Sequence, residues 1–212
     1  MSVEVKICGL TDPEAIEAAI EAGADDLGLV FFPSSPRFIT PEAAAELLQF
    51  VEGVTRVGLF VDADDAWLEQ VLTHVRLDLL QFHGHETPAR IEAIRNEFAV
   101  PVMKVVAVSS AADLAAAEPF FDVADRLLFD AKPPPGSLLP GGNAVSFDWT
   151  LLSGYRPPLP WMLAGGLTAD TVAEAIRISG AVAVDVSSGV ESAPGVKDVA
   201  KIAAFVRAAK GA

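Results

Sequence analysis

Three observations predict an α/β fold, specifically a single-domain (β/α)₈ barrel of the TIM type. Short apolar runs rich in Val, Ile, Leu and Phe alternate with Ala-rich amphipathic stretches, a pattern typical of strands that form a parallel sheet. About eight such runs occur, whereas an open doubly wound sheet more often has about five or six strands. With 51% hydrophobic residues, the 212-residue chain can bury one large core, so we assign residues 1–212 to a single domain.

Each predicted unit is one strand followed by one helix. The predicted strands are residues 3–7, 27–31, 56–61, 79–82, 102–106, 127–130, 161–164 and 183–186. The predicted helices are residues 13–22, 41–51, 64–75, 88–97, 111–117, 146–152, 170–178 and 198–209. Asp12 and Thr40 mark the first two helix starts, because each can cap an unpaired amide and each precedes a proline. The fifth and sixth helices have weak patterns, which leaves an open sheet as an alternative.

The segment between the sixth and seventh predicted strands breaks this rhythm. Residues 131–149 read AKPPPGSLLPGGNAVSFDW and contain four prolines and three glycines, so they cannot form a regular element. Long irregular loops inside compact domains usually act as lids or walls of a functional site. We therefore predict that this loop borders the site.

Charge and composition exclude several function classes. The 29 acidic and 15 basic residues give a net charge of −14, which repels nucleic acid backbones and anionic membrane surfaces. No apolar run approaches the roughly 18 to 20 residues of a membrane-spanning helix. One cysteine cannot form an intramolecular disulfide, and the N-terminus lacks a secretory pattern, so we expect a cytoplasmic protein.

No motif for a metal or a cofactor is found in the sequence. The three histidines, His74, His83 and His85, lack the spacing and the accompanying ligands of a zinc site. Neither GxGxxG after the first strand nor GxxxxGK[ST] occurs, so dinucleotide and ATP binding have no support. We expect no metal and no cofactor.

The chemically distinctive residues fall where predicted strands end, at the rim that carries active sites in barrels. They are Lys6 and Cys8; Arg37 in FFPSSPRF; Gln81 and His83 in QFHG; Asp130; Gly165 and Gly166 in LAGGL; and Asp185, Ser187, Ser188 and Gly189 in DVSSG. Two of these segments, AGGLT and VSSGVE, follow the last two strands, where barrels favour a phosphate site built from backbone amides. The alternative is that Gly165 and Gly166 simply turn the chain.

Two residues among them suit acid–base chemistry. Cys8 lies two residues after Lys6 in a strand, so both face one side and the ammonium can stabilise a thiolate. Asp130 ends an apolar strand, where partial desolvation would retain its proton and suit a general acid. The alternatives are inert packing for the cysteine and a cap or salt bridge for the aspartate.

Two further residues suit binding. Arg37, between prolines and aromatic residues, can make a bidentate contact with a carboxylate, although a solitary arginine is more often an exposed surface charge. His83 could titrate as a catalyst, but we favour a hydrogen-bonding residue of the site wall.

Taken together, these segments resemble the phosphoribosylanthranilate isomerase family of tryptophan biosynthesis. The matching blocks, in the family's order, are VKICGLT, ADDLGLVFFPSSPRFI, LLQFHGHE, LLFDAK, FDW, LAGGLTADTVAEAI and AVDVSSGVESAPGVKD. They span residues 5 to 198, and the combination of KICG, SPR, QFHG and DVSSGVE is specific. Two departures are Asn143-Ala144, where the family commonly continues Gly-Gly with Thr-Gly, and Phe129 in place of a leucine.

The resemblance implies a cofactor-free Amadori rearrangement of phosphoribosylanthranilate, the third step from chorismate. It assigns Cys8 as general base and Asp130 as general acid. It also implies that Arg37 holds the anthranilate carboxylate, that the Gly165-Gly166 and Ser187-Ser188-Gly189 loops hold the phosphate, and that Asp185 orients the amine or a hydroxyl. Its rivals are another phosphosugar enzyme on the same scaffold and a non-catalytic phosphosugar-binding barrel. We expect a monomer or a homodimer.

Overall fold

The computed structural model describes residues 2–134, 136–137, 141–142 and 145–212, and it confirms the predicted barrel. Eight parallel strands pair in chain order, and β8 pairs with β1 to close the ring. The strands are β1 Glu4–Cys8, β2 Asp26–Val30, β3 Thr55–Phe60, β4 Leu79–Phe82, β5 Val102–Val108, β6 Arg126–Ala131, β7 Trp161–Leu163 and β8 Ala183–Val186. The open-sheet alternative is therefore wrong.

Six α-helices connect or follow these strands within the described residues. They are α1 Pro13–Ala22, α2 Pro41–Leu48, α3 Asp65–His74, α4 Pro88–Phe98, α5 Val172–Ser179 and α6 Val199–Lys210. The two predicted caps are present, because Asp12 accepts from Ala15 N at 2.9 Å and Thr40 accepts from Ala43 N at 3.3 Å. Each cap satisfies an amide that the first helical turn leaves unpaired.

The fifth and sixth predicted helices are not α-helices. Residues Ala111–Phe120 form a 3₁₀ helix that contains Pro119, whose ring nitrogen has no hydrogen to donate. The sixth is a four-residue 3₁₀ helix, Trp149–Leu152, which begins after Asp148 caps Thr150 N at 3.0 Å. Both units still return the chain to the next parallel strand, so the barrel closes without regular helices there.

Inward-facing side chains of β3 to β8 fill the middle of the barrel. They form a buried cluster of Val57, Leu79, Met103, Val105, Leu128, Met162, Ala164 and Ala183. A second, larger core lies between the strands and the surrounding helices. This packed apolar layer lies between the two ends of the barrel.

An insertion between β8 and α6 was not predicted. Strands β9 Glu191–Ala193 and β10 Val196–Lys197 form a small antiparallel ribbon at the carboxyl-terminal rim. The ribbon brings the side chains of Glu191 and Lys197 back toward the site. Among the described residues, no helix has the length and apolar character needed to cross a membrane.

Candidate active site

A cavity opens at the carboxyl-terminal ends of the strands. Its lining includes all the residues that the sequence assigns to the site: Cys8, Arg37, His83, Asp130, Gly165, Gly166, Asp185, Ser187, Ser188 and Gly189. Residues from β1, β4, β6, β7 and β8 thus meet in one space, although they are distant along the chain. Their roles in catalysis and binding stay predictions at this point.

Cys8 lies above a buried ion pair at one side of the cavity. Lys6 is fully buried, and its Nζ donates to Asp185 Oδ1 at 2.9 Å. The pairing of β1 with β8 places Lys6 beside Asp185, so the register of the barrel forms this contact. Both Cys8 and Asp185 line the cavity, whereas Lys6 supports them from below.

Burial and the neighbouring charges together set the protonation of Cys8 and Lys6. Burial raises the pKa of the Cys8 thiol, and although the Lys6 ammonium lowers that pKa, as the sequence predicts, the net pKa lies above the usual value. Burial also lowers the pKa of Lys6, but the attraction and hydrogen bonds of Asp185 and Cys8 together outweigh it, and the net pKa is raised. Cys8 is therefore a thiol, and Lys6 an ammonium, in the free protein at neutral pH.

Asp130 faces the cavity from the end of β6. Its Oδ1 accepts from Ala131 N at 2.8 Å, and its Oδ2 lies 3.3 Å from His83 Nε2. At this distance the imidazole and the carboxyl group are in direct contact. His83 is thus more than part of the wall, because it contacts the residue predicted to be the acid.

The described part of the irregular loop after β6 borders the cavity, as predicted. Its described residues Gly141, Gly142 and Val145 line the cavity. A Cβ atom on Gly141 would clash with His83 and lie 2.8 Å from Asp130 Oδ2, so only glycine permits this close approach. Asn143 and Ala144, the departure from the family's pattern, lie outside the described residues.

Arg37 is buried and already holds a carboxylate of the protein. Its Nε and Nη2 donate to the two carboxylate oxygens of Glu191 at 2.7 and 2.9 Å. The alternative of an exposed surface charge is therefore wrong, whereas the contact of Arg37 with a substrate carboxylate stays a prediction. Among the described residues, Nη1 has no acceptor, so it stays available to a ligand.

Glu191 is a site residue that sequence reasoning missed. Besides Arg37, it accepts from Lys197 Nζ at 3.0 Å, and that ammonium also donates to the carbonyl oxygen of Ser187 at 2.9 Å. Burial raises the pKa of Glu191, but hydrogen bonds and charge from Arg37 and Lys197 bring it below the usual value. The signal that could have pointed to Glu191 is charge balance, because an arginine that is buried needs an anion nearby.

The two glycine-containing loops pack tightly against neighbouring loops. Gly165 and Gly166 have φ values of +91° and +63°, a region that favours glycine. A Cβ atom would lie 2.7 Å from Ala131 N at the first position and 2.7 Å from Val145 C at the second. The glycines therefore let these loops meet at the rim, and the resulting backbone surface lines the cavity.

Gln81 is a further lining residue to which the sequence assigns no role. It lies in β4, is 1% exposed and faces the cavity. Its Oε1 is buried and has no hydrogen-bond partner among the described residues. The adjacent strand contributes Leu59, which is paired with Gln81 in register and packs with Cys8 and Val30.

Comparisons with known proteins give one consistent result. The family model for N-(5'-phosphoribosyl)anthranilate (PRA) isomerase matches residues 5–208. A curated N-(5'-phosphoribosyl)anthranilate isomerase of Paramagnetospirillum magneticum is 71% identical over 212 residues, covering 100% of this chain and 99% of the relative. One of Rhodospirillum rubrum is 57% identical over 211 residues, covering 97% of each.

Solved structures give the same result. Phosphoribosyl anthranilate isomerase from Thermotoga maritima superposes with a TM-score of 0.88 at 37% identity, covering 99% of this chain and 100% of that one. Another isomerase structure, in complex with reduced 1-(o-carboxyphenylamino)-1-deoxyribulose 5-phosphate, has a TM-score of 0.86 at 36% identity, covering 99% and 100%.

Proposed function

The chain belongs to the N-(5'-phosphoribosyl)anthranilate isomerase family, and from this premise we propose that Cys8 and Asp130 are its catalytic base and acid. The isomerase converts N-(5'-phosphoribosyl)anthranilate into 1-(2-carboxyphenylamino)-1-deoxyribulose 5-phosphate in tryptophan biosynthesis. The observation that supports the proposal is that a thiol and a carboxyl group line one cavity from β1 and β6. The sugar gains a ketone at C2 while C1 is reduced, so the reaction needs no external oxidant and no cofactor.

Asp130 acts first, as the acid. It donates its proton to the furanose ring oxygen, the bond from that oxygen to C1 breaks, and the nitrogen lone pair forms a protonated Schiff base. His83 Nε2 lies 3.3 Å from Asp130 Oδ2, where it can orient the carboxyl group and stabilise its charge after the transfer.

Cys8 acts second, as the base. The thiolate removes the proton from C2, and the C2 electron pair forms a double bond to C1 and neutralises the iminium nitrogen. The resulting enolamine tautomerises to the ketone. Burial favours the thiol in the free enzyme, so the base is the small fraction of thiolate that has released its proton to solvent, and the positive charge of the Schiff base increases that fraction.

The remaining site residues hold the substrate. We propose that the phosphate lies at the rim beside Gly165, Gly166, Ser187, Ser188 and Gly189, all of which line the cavity. The first amides of the 3₁₀ helix Ser188–Val190 are not used within that helix and can donate to a dianion.

The polar groups proposed to surround the anthranilate part of the substrate have two roles. Arg37 Nη1 binds the anthranilate carboxylate, while Glu191 fixes the guanidinium plane from the other side. Asp185 keeps Lys6 beneath Cys8 and can orient the substrate amine or a hydroxyl from the same position.

We propose further that residues 1–212 act as one catalytic domain in the cytoplasm, as a monomer or a homodimer. The solved relatives include monomers derived from a dimeric enzyme. No nucleic acid or membrane partner is proposed, in keeping with the net charge of −14.

A fluorescence assay tests the function directly. Freshly prepared phosphoribosylanthranilate is added to the purified protein, and loss of the anthranilate signal is followed over time. We expect a loss that depends on enzyme concentration in the wild type and is nearly absent in Cys8→Ala and Asp130→Asn. Wild-type protein that does not accelerate the loss would overturn the function, and active variants would overturn the residue assignment.

A further inference from the structure

Gln81 has an unusual environment for a side-chain amide. The residue is 1% exposed, and its Oε1 has no hydrogen-bond partner among the described residues. Nearly all buried polar atoms in folded proteins are hydrogen-bonded, because burial removes water that would otherwise bind them. The amide also lines the cavity. Its unpaired oxygen therefore indicates that a ligand provides the missing donor.

The neighbours of Gln81 indicate which part of the substrate lies there. Leu59 pairs with Gln81 in register, and Leu59, Val30 and Cys8 form a buried cluster at the cavity. Phe32 and Val61 pack against the same cluster. These side chains form an apolar wall, which suits a flat aromatic ring.

The closed barrel separates the two ends of the substrate. The proposed phosphate loops follow β7 and β8, whereas the apolar wall belongs mainly to β2 and β3, which β1 separates from β8. Arg37 follows β2 and can bind the carboxylate on the aromatic ring. Gln81, on β4 beside the wall, then borders the junction between the ring and the sugar.

We propose that Gln81 is a substrate-binding residue whose Oε1 accepts a hydrogen bond from the secondary amine that joins the aromatic ring to the sugar. The proposal rests on the proposed function. The amine keeps its hydrogen in the substrate, the Schiff base and the enolamine, so the contact persists through the reaction. The nitrogen is cationic in the Schiff base, and its hydrogen bond is strongest there. Gln81 therefore contributes more to turnover than to substrate affinity.

The test removes the acceptor without changing the volume. In Gln81→Met, we expect kcat to fall roughly 10- to 100-fold while KM changes less than about threefold. Gln81→Glu keeps an acceptor and should recover much of that loss. Gln70→Met makes the same substitution on an exposed face of α3 and should behave like the wild type. A folded Gln81→Met enzyme with wild-type kcat would overturn the proposal.

A binding experiment tests the contact itself without relying on turnover. Two inert probes are compared by calorimetry, reduced 1-(o-carboxyphenylamino)-1-deoxyribulose 5-phosphate and the analogue in which an ether oxygen replaces its N–H. We expect the wild type to prefer the amine by about tenfold, because the ether oxygen places a second acceptor against Oε1, and Gln81→Met to lose that preference. Equal binding of both probes by the wild type contradicts the proposal even if the variant fails to fold. Wild-type isomerase activity in the same preparation separates this outcome from failure of the proposed function.

Discussion

The two ends of the barrel carry ionisable side chains on the same strands, but only those at the carboxyl-terminal end line a cavity. β1 begins with Glu4 and ends with Cys8, and β6 begins with Arg126 and nearly ends with Asp130. At the carboxyl-terminal end, Cys8 and Asp130 line a cavity. At the amino-terminal end, Arg126 donates to both oxygens of Glu4 at 2.6 and 2.7 Å, and neither residue lines that cavity. We call this amino-terminal end of the barrel the closed end.

Each end also holds a group with a raised pKa. Burial, reinforced by Glu4, raises the pKa of Asp26 to about 7, and Arg126, 3.7 Å from Asp26 Oδ2, opposes that rise. Burial likewise raises the pKa of the Cys8 thiol. Titration at the cavity should therefore change turnover, whereas titration at the closed end should change only stability. Access to substrate, not charge or pKa, separates the two ends.

The largest effect is expected from removing the acid or the base. Cys8→Ala and Asp130→Asn should each lower kcat by about 10²- to 10⁴-fold, because a positioned proton-transfer group contributes on that scale. Substrate affinity should change little, since neither group is needed to hold the ground state. Steady-state kinetics and circular dichroism check both points. Near-wild-type turnover in either folded variant would contradict the assignment.

The second prediction concerns pH. Because the pKa of Cys8 is raised, only a small fraction is thiolate at neutral pH, and that fraction rises about tenfold per pH unit below the pKa. We expect kcat/KM to rise with pH through the neutral and mildly alkaline range. The difference in ultraviolet thiolate absorbance between wild type and Cys8→Ala should follow the same curve.

Asp26 provides the control for this profile. Although its pKa of about 7 lies in the same range, Asp26→Asn should leave the pH dependence of kcat/KM unchanged. A profile that flattens in this variant would show that the two ends communicate, contrary to the separation by the packed interior.

The third prediction compares two arginines that each hold a glutamate through two hydrogen bonds. Arg37→Ala should raise KM by about 10- to 100-fold with kcat nearly kept, because Nη1 no longer binds the substrate carboxylate. Arg126→Ala should leave KM unchanged and lower the free energy of unfolding, because Glu4 loses its bidentate partner. Kinetics and urea unfolding of both variants measure the two effects. An unchanged KM in Arg37→Ala would exclude the carboxylate contact.

The sequence predicts features set by neighbouring residues, such as helix starts, better than contacts between residues far apart in the chain. The helix starts at Pro13 and Pro41 were correct because cap and proline are adjacent in the chain. The segment Ala111–Phe120 has helix-forming alanines, but Pro119 and the connection to β6 favour a 3₁₀ helix. Propensity alone does not decide such a segment.

Contacts between distant residues were the part that the sequence could not supply. Strand alternation was enough to bring Cys8 and Asp130 to one rim, because every barrel strand ends there. Glu191 meets Arg37 across 154 positions, through a ribbon that no local pattern indicated. Whether Gln81 Oε1 has a hydrogen-bond partner likewise depends on residues from distant parts of the chain, so the sequence alone could not show that it is unpaired.

The smallest effect on turnover is expected at the closed end, where Asp26→Asn should change stability alone. A carboxyl group with a folded pKa of about 7 and an unfolded pKa of about 3.8 binds its proton more tightly in the folded state. Its contribution is therefore fully present at low pH and is lost as pH rises toward 7. Above that pH the variant, which carries no charge there, should be more stable than the wild type by roughly 1 to 4 kcal/mol.

Urea unfolding at several pH values measures this difference. The gap between Asp26→Asn and wild type should widen between about pH 4 and pH 7 and stay constant above. Asp122→Asn, an exposed carboxyl group, should show no such gap. Because Asp26 does not line the cavity, kcat and KM of the folded variant should match those of the wild type. A variant that is destabilised at high pH would mean that the Asp26 carboxylate is held favourably by Arg126, and that the closed end depends on its charge after all.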